Sequence, residues 1–132
     1  MIENLKPDTI EAMLDVMPVE ISFVDENDEV KYFNKNGDRI FPRPRSIVGR
    51  KVQQCHPAKS LHIVDKMLQD FRNKSRKNAT FWIDLRGRKI LIRYFPVWGK
   101  EGNYKGCLEV SEDITEMQKL NGEKRLLDEG TE

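Results

Sequence analysis

Apolar and polar side chains alternate over residues 19–24, which is the period of a half-buried β-strand. A polar turn over residues 25–28 separates this stretch from a second apolar stretch that begins at Val30. Before them, residues 7–17 repeat apolar side chains at intervals of three and four, as one face of a helix does. The pattern therefore predicts a short amphipathic helix followed by a β-hairpin.

The clearest helical pattern covers residues 57–72. Its apolar face is formed by Leu61, Val64, Leu68 and Phe71, and it is widened by Ile63 and Met67. The opposite face is charged or polar, so we expect this helix to lie across a sheet with one side in water.

Three further strands are predicted over residues 80–85, 89–98 and 104–111, because β-branched and aromatic residues recur there between short turns. Short connections favour antiparallel pairing. Together the elements predict an α+β domain with a five-stranded antiparallel sheet and helices packed on one face. We expect a flanking helix over residues 1–18, the domain over 19–115, and a helical or disordered tail over 116–132.

Composition narrows the class of protein. The 132 residues fit one domain. The 23 Lys and Arg residues nearly balance the 22 Asp and Glu residues, so no overall electrostatic field favours binding to nucleic acid or to a membrane surface. No apolar run approaches the roughly 20 residues of a membrane span, and no apolar segment follows Met1. We expect a cytoplasmic protein with reduced thiols.

Several local motifs, in this order, resemble the PAS domain family. They are VEISFVD at residues 19–25, VKYFN at 30–34, IVGR at 47–50 and SEDITE at 111–116, the last being similar to the motif that joins the PAS sheet to an output helix. Around residues 55–57 the chain is similar to PAS modules found with hemerythrin-like domains in bacteria and archaea. The resemblance implies the PAS fold with N- and C-terminal flanking helices, and a homodimeric sensory or signalling module.

PAS domains hold haem, flavin, a small metabolite or nothing in the cleft between the long helix and the sheet. The inward positions expected in this chain are Leu61, Val64, Leu68 and Phe71. An inward Arg93 would suit a carboxylate or phosphate ligand, since its guanidinium is a two-pronged donor. Alternatively, Arg93 faces solvent or pairs with Glu109 across strands.

Haem would need an axial ligand, and His62 lies on the long helix, where PAS haem ligands occur. The helical wheel favours a solvent-facing His62, because it falls opposite the apolar stripe. A haem-based gas or redox sensor stays an alternative, whereas flavin photochemistry is disfavoured because Cys55 lacks the Asn-Cys-Arg context. The spacing of Cys55, His56 and His62 matches no common zinc signature, so no metal site is predicted.

The chain contains no glycine-rich phosphate loop, nucleophile elbow or helical His-Glu pair of a metallohydrolase. We therefore expect no enzyme. Two hypotheses remain: a sensory module that binds a small ligand and relays its state through the terminal helices, and a ligand-free module for dimerisation or other protein contacts.

Overall fold

A five-stranded antiparallel sheet forms the centre of the structure, a computed structural model that describes residues 1–35 and 37–130. The elements are α1 (Pro7–Val16), β1 (Glu20–Asp25), β2 (Val30–Phe33), α2 (Ala58–Arg72), β3 (Ala79–Leu85), β4 (Arg88–Trp98) and β5 (Tyr104–Asp113). Across the sheet the strand order is β2-β1-β5-β4-β3, and every pair is antiparallel. The predicted α+β class and five-stranded antiparallel sheet are confirmed.

The turn between β1 and β2 is held by an aspartate side chain. The Asp25 carboxylate accepts hydrogen bonds from the backbone N–H groups of Asn27 at 2.9 Å and Glu29 at 3.0 Å. Asp28 has a φ of 63°, a left-handed conformation that aspartate tolerates better than most residues. The polar residues 25–28 therefore form the turn that their composition predicts.

Gly106 allows β5 to lie against β1 at the centre of the sheet. Its φ is 145°, and a Cβ atom at this position would clash with the carbonyl oxygen of Val24. Only glycine combines this backbone conformation with the close approach. The pairing of β5 with β1 therefore requires glycine at position 106.

Helix α2 covers the sheet through its C-terminal half. Met67, Leu68 and Phe71 are buried, and Phe71 is 0% exposed. Ile63 is 57% exposed, so its expected place on the apolar face is wrong. The physical reason is that the covered stripe is narrower than expected: it consists of Val64, Met67, Leu68 and Phe71, and at 100° per residue Ile63 lies beyond its edge.

Helix α1 is fastened to the domain at its C-terminal end. The Asn34 carboxamide donates a hydrogen bond to the carbonyl oxygen of Leu14 at 2.7 Å. The backbone N–H of Lys35 donates to the Asp15 carboxylate at 3.0 Å. In the apolar stripe, Met13 and Met17 are exposed and Ile10 and Leu14 are half-buried, so polar contacts supplement an incomplete apolar contact.

After β5, the described chain holds short 3-10 turns at Met117–Lys119 and Leu126–Asp128. Of the two alternatives expected for the tail over residues 116–132, a continuous helix is not found in the described part, which ends at residue 130. β5 instead continues to Asp113, which is paired with Ile90 of β4. Leu120 and Leu126 are exposed, and a short helix without a packing partner is marginal in water.

Candidate functional site

A cavity of about 290 Å³ lies between α2, the sheet and the loops that connect β2 to α2. The sheet contributes Ser22, Val24, Val30, Tyr94, Cys107 and Glu109. Helix α2 contributes Val64, Met67 and Leu68, and the loops contribute Pro42, Arg43, Pro44, Ile47, Arg50, Val52, Gln54, Cys55 and His56. The cavity therefore has an apolar body with polar groups on its floor and in its loops.

Strand register builds the cavity floor. Glu109 of β5 lies opposite Ser22 of β1 on one side and opposite Tyr94 of β4 on the other. Directly opposed residues point to the same face of a sheet. The three side chains therefore form a polar row across the central strands.

An ion pair connects this floor to the loop. Nη2 of Arg43 lies 3.2 Å from Oε1 of Glu109, and the same oxygen is 3.5 Å from the Ser111 hydroxyl. Both charged side chains are partly accessible, at 30% for Arg43 and 17% for Glu109. This is the one hydrogen bond of the Arg43 side chain within residues 1–35 and 37–130, although a guanidinium has five N–H donors.

Two floor groups are kept in their neutral forms. Burial, followed by the negative charge of Glu109, raises the pKa of the Tyr94 hydroxyl. Burial also raises the pKa of the Cys107 thiol to about 12, again with a contribution from Glu109. At neutral pH, Tyr94 is therefore a hydroxyl donor, and Cys107 is a thiol rather than a reactive thiolate.

The loop on the other side of the cavity carries Arg50, Gln54 and His56. Their side chains form no hydrogen bond or ion pair with the part of the chain that the structure describes. The backbone of this loop is nevertheless fixed, because the N–H of Val30 donates to the carbonyl of Arg50 at 2.9 Å and the N–H of Gly49 donates to that of Val30 at 2.7 Å. The loop thus presents uncommitted polar groups on a held backbone.

The four helix residues expected at the cleft divide into two groups. Val64 and Leu68 line the cavity. Leu61 and Phe71 do not, and that part of the prediction needs correction. Phe71 is fully buried in the core beyond the cavity, and Leu61 is half-buried near the start of α2. A helix crosses a cavity at an angle, so only the middle of its apolar stripe contributes.

Arg93 lies on the other face of the sheet. Its neighbour Tyr94 faces the cavity, and consecutive strand residues point to opposite faces. Arg93 pairs with Glu112 of β5 at 3.3 Å, and its guanidinium carbon lies 5.8 Å from the ring centroid of Phe95. The expectation of an inward Arg93 is therefore wrong, and its partner is Glu112 rather than Glu109.

The two histidines have different positions. His62 is exposed on α2 and does not line the cavity, whereas His56 does. Cys55, next to His56, is an exposed thiol whose Sγ lies 3.8 Å from the carbonyl oxygen of Lys51. Among the described residues, no three His, Cys, Asp or Glu side chains are grouped so as to hold a metal. None of the helices described is both long enough and apolar enough to cross a bilayer.

Sequence reasoning missed Arg43 and the loop residues that follow it as cavity groups. Residues 34–57 have no strand or helix period, so periodicity could not orient them. For Glu109, the sequence pattern points to the wrong face, because Leu108 and Val110 form the more apolar set of β5 and Glu109 alternates with them. Only the structure shows that the set with Cys107 and Ser111 is buried and that Glu109 therefore lies on the inner face.

Known proteins support a single family. A family model described as PAS domain matches residues 10–115. The crystal structure of the C-terminal domain of a protein from Streptococcus mutans is 31% identical, with a TM-score of 0.83, and the match covers 89% of this chain and 91% of that one. No curated protein matches the sequence.

More distant structures share the fold. The PAS domain of BvgS from Bordetella pertussis is 18% identical, with a TM-score of 0.60, covering 85% of this chain and 88% of that one. A PAS domain from Colwellia psychrerythraea is 17% identical, with a TM-score of 0.58, covering 83% and 97%. With the family match over residues 10–115, the sheet order and the cleft between α2 and the sheet, the conclusion is that this chain belongs to the PAS domain family.

Proposed function

We propose that this PAS domain is a sensory module that binds a small organic molecule in the cavity between α2 and the sheet. The bound state is relayed through α1 and through the residues that follow β5. The proposed role is non-enzymatic and cytoplasmic. Similarity in fold to a structure described as a sensory box sensor histidine kinase from Vibrio cholerae supports the signalling class.

The observation that carries this proposal is the combination of an apolar cavity with uncommitted polar groups. Most ligand pockets are apolar with a few convergent polar groups. Here the donors of Arg50, Gln54 and His56 are unpaired within the described chain. Groups of this kind gain hydrogen bonds from a ligand without losing any to the protein.

A polar network links the cavity loop to α1. Arg39 lies four residues before Arg43 and donates to the carbonyl oxygens of Asn34 at 2.6 Å and Phe41 at 3.0 Å. The Asn34 carboxamide in turn holds the Leu14 carbonyl of α1. A ligand that displaces Arg43 would therefore act on residues that hold the end of α1.

Charge also connects these two arginines. Burial lowers the pKa of the Arg39 guanidinium, Glu20 opposes this effect, and the nearby positive charge of Arg43 lowers the pKa further. An anion bound at Arg43 would ease that repulsion. A signal requires such a difference in ligand affinity between two states of the protein.

The second route runs along β5. Glu109 lies in the cavity, and Asp113 ends the same strand. Beyond it, the Thr115 hydroxyl accepts a hydrogen bond from the N–H of Lys89 at 2.8 Å, and the N–H of Thr115 donates to the Asp113 carboxylate at 3.0 Å. The Asp-Ile-Thr sequence thus fixes the exit of the chain to the start of β4.

Cavity filling tests the binding half of this proposal. Val64→Phe places a larger side chain in the cavity, and Ile63→Phe makes a comparable change at the exposed neighbouring position. Each protein is incubated with a small-molecule extract of bacterial cells, desalted and weighed by native mass spectrometry. We expect a bound small molecule on wild type and Ile63→Phe, and none on Val64→Phe. Equal loading of all three, or no adduct on wild type, would contradict the proposal.

The relay half has its own readout. Hydrogen exchange of the α1 amides is compared between the loaded and the empty wild-type protein. We expect exchange in α1 to change on loading, and we expect this change to be lost in Asn34→Ala, because that variant lacks the contact with Leu14. A response of α1 that persists in Asn34→Ala would show that the signal takes another path.

A second candidate function, the homodimerisation module, is favoured by the edge strand β3. Phe81, Trp82 and Ile83 are exposed in succession, Trp82 at 65%, and β3 is the last strand of the sheet. An exposed apolar edge is a template for strand pairing. Antiparallel pairing of β3 with its copy would be two-fold symmetric, as most homodimers are.

Sedimentation analysis tests this dimer. Trp82→Lys puts a charge at the centre of the edge and is expected to shift the protein toward monomer. Leu126→Lys is the control, because Leu126 is also exposed but lies in the tail. A dimer that survives Trp82→Lys, or a wild type that is monomeric, would exclude β3 as the interface.

A further inference from the structure

We propose that the cavity selects a small carboxylate, a molecule with one anionic head and a compact apolar body. This inference rests on the proposed ligand-binding function and specifies the chemical class of the ligand. It is supported by the charges that line the cavity and by the side-chain donors there that have no hydrogen-bond partner in the described chain.

The fixed charges of the cavity favour an anion. Two guanidinium groups, Arg43 and Arg50, line it together with one carboxylate, Glu109. Glu109 is already paired with Arg43 at 3.2 Å. Arg50 has no ionic partner among the described residues, so the unbalanced charge is positive.

Arg43 is positioned to bind a carboxylate rather than merely to neutralise Glu109. Only its Nη2 is engaged, and the planar guanidinium keeps further N–H donors in a geometry that matches a carboxylate. Pro42 and Pro44 flank it, and proline fixes the φ angle of its own residue. The Arg43 backbone is therefore restrained on both sides, which lowers the entropy cost of binding.

The opposite loop adds N–H donors and no carboxylate to the cavity wall. Gln54 and His56 line the cavity without partners in the described chain. The neighbouring Gln53 holds this loop in place, donating to Asp28 at 2.9 Å and to Asp65 at 3.0 Å. The carboxylates of this region are thus engaged in holding the loop, and each side chain left free carries at least one N–H donor.

Size and polarity limit the rest of the ligand. The volume of about 290 Å³ is at the lower end of pockets for drug-sized molecules. Val24, Val30, Val64, Met67 and Leu68 form the apolar walls. A single-ring aromatic acid or a short aliphatic acid fits this chemistry.

Three probes of nearly equal shape test the charge preference: phenylacetate, phenylacetamide and 2-phenylethylamine. Their affinities are measured by NMR titration of the 15N-labelled protein. The ionic strength is kept constant, since exposed charges are screened by salt. We expect phenylacetate to bind about tenfold tighter than the amide, because charge-assisted hydrogen bonds are stronger than neutral ones. The amine is expected to bind weakest.

Variants assign the effect to Arg43. Arg43→Gln is expected to lower phenylacetate affinity about tenfold and to leave phenylacetamide unchanged, because only the charge-assisted part of the bond is lost. Arg43→Lys keeps the charge without the fork and is expected to be intermediate. Arg45→Gln removes the same charge two residues away, outside the cavity, and should bind like wild type. Melting temperatures confirm that each variant is folded.

Several outcomes would overturn the proposal. Binding of the amide or the amine as tight as that of the acid would overturn it, and so would a loss of affinity in Arg45→Gln as large as that in Arg43→Gln. If none of the probes binds at millimolar concentration, the carboxylate class is wrong for this cavity. If small molecules load wild type and Ile63→Phe but not Val64→Phe, and the probes show selectivity for the amine or no preference for the acid, the ligand-binding function stands and the carboxylate class is removed.

Discussion

Arg39 and Arg43 lie in the same loop, and each is paired with a glutamate of the sheet, but the two pairs have different surroundings. The Arg39 and Glu20 side chains are 2% and 6% exposed, and both make further hydrogen bonds to the backbone. Arg43 and Glu109 are more open and lie in the cavity wall. The first pair holds the loop to the sheet, and the second leaves N–H donors of Arg43 available for a ligand.

The comparison shows how one loop can hold a fold and also respond to a ligand. The Glu20 carboxylate accepts hydrogen bonds from the backbone N–H groups of Ile40 and Phe41, so the first half of the loop is fixed. Pro42, Arg43 and Pro44, which follow directly, line the cavity. The difference predicts graded effects of substitution on stability, which the following four experiments measure.

The largest loss of stability is expected for Arg39→Met. Removing one partner of a buried ion pair leaves the other charge unpaired and costs about 3–5 kcal/mol. Urea unfolding followed by circular dichroism measures the change, with Arg45→Met as an exposed control. A loss no larger than that of the control would mean that the buried network is not a structural connection.

Asn34→Ala is expected to follow, with a loss of roughly 2–3 kcal/mol, because each buried polar group left without a partner costs about 1–3 kcal/mol. The Asn34 side chain accepts from the N–H of Ile21 at 2.8 Å and donates to the carbonyls of Leu14 and Val19. The same unfolding measurement applies, and Asn4→Ala serves as the exposed control. Stability equal to wild type would show that the hydrogen bonds of Asn34 do not hold α1 to the domain.

Arg43→Met is expected to change the free energy of unfolding by less than about 1 kcal/mol, as is usual for accessible ion pairs. Its larger effect should be on ligand affinity. Unfolding of this variant beside Arg39→Met gives the direct comparison of the two arginines. A loss as large as that of Arg39→Met would show that the cavity pair also holds the fold.

The smallest effect is expected at a third pair, Arg88 with Asp113, which is the most exposed. The hydrogen bond from Arg88, followed by those from Thr115, lowers the pKa of Asp113 to about 2. The unfolded chain binds this proton more readily, so the stabilisation is present above pH of about 4 and is lost as the pH falls toward about 2. Asp113→Asn should therefore unfold with a weaker acid dependence in that window, measured by thermal melts across pH. An unchanged acid dependence would mean that the pair does not contribute.

Much of the fold follows from local patterns in the sequence. The alternation over residues 19–24, the polar turn and the stripe of α2 each come from a period that the chain itself carries. Strands β3, β4 and β5 were predicted within a few residues of their bounds. The residues of the cavity were harder to predict. Those in the loop have no hydrophobic period, and their side chains are oriented only by contacts with strands that are distant in sequence.

The strands, the helices α1 and α2, their order and the antiparallel pairing follow from the hydrophobic period and the short turns, which are local properties. Which face of the sheet each residue meets depends on tertiary packing. On β4, both alternating sets contain apolar residues, Leu91 and Phe95 on one and Ile92 with Tyr94 on the other. Only the packing of α2 and the loop over one of them turned Tyr94 into the cavity and Arg93 away from it.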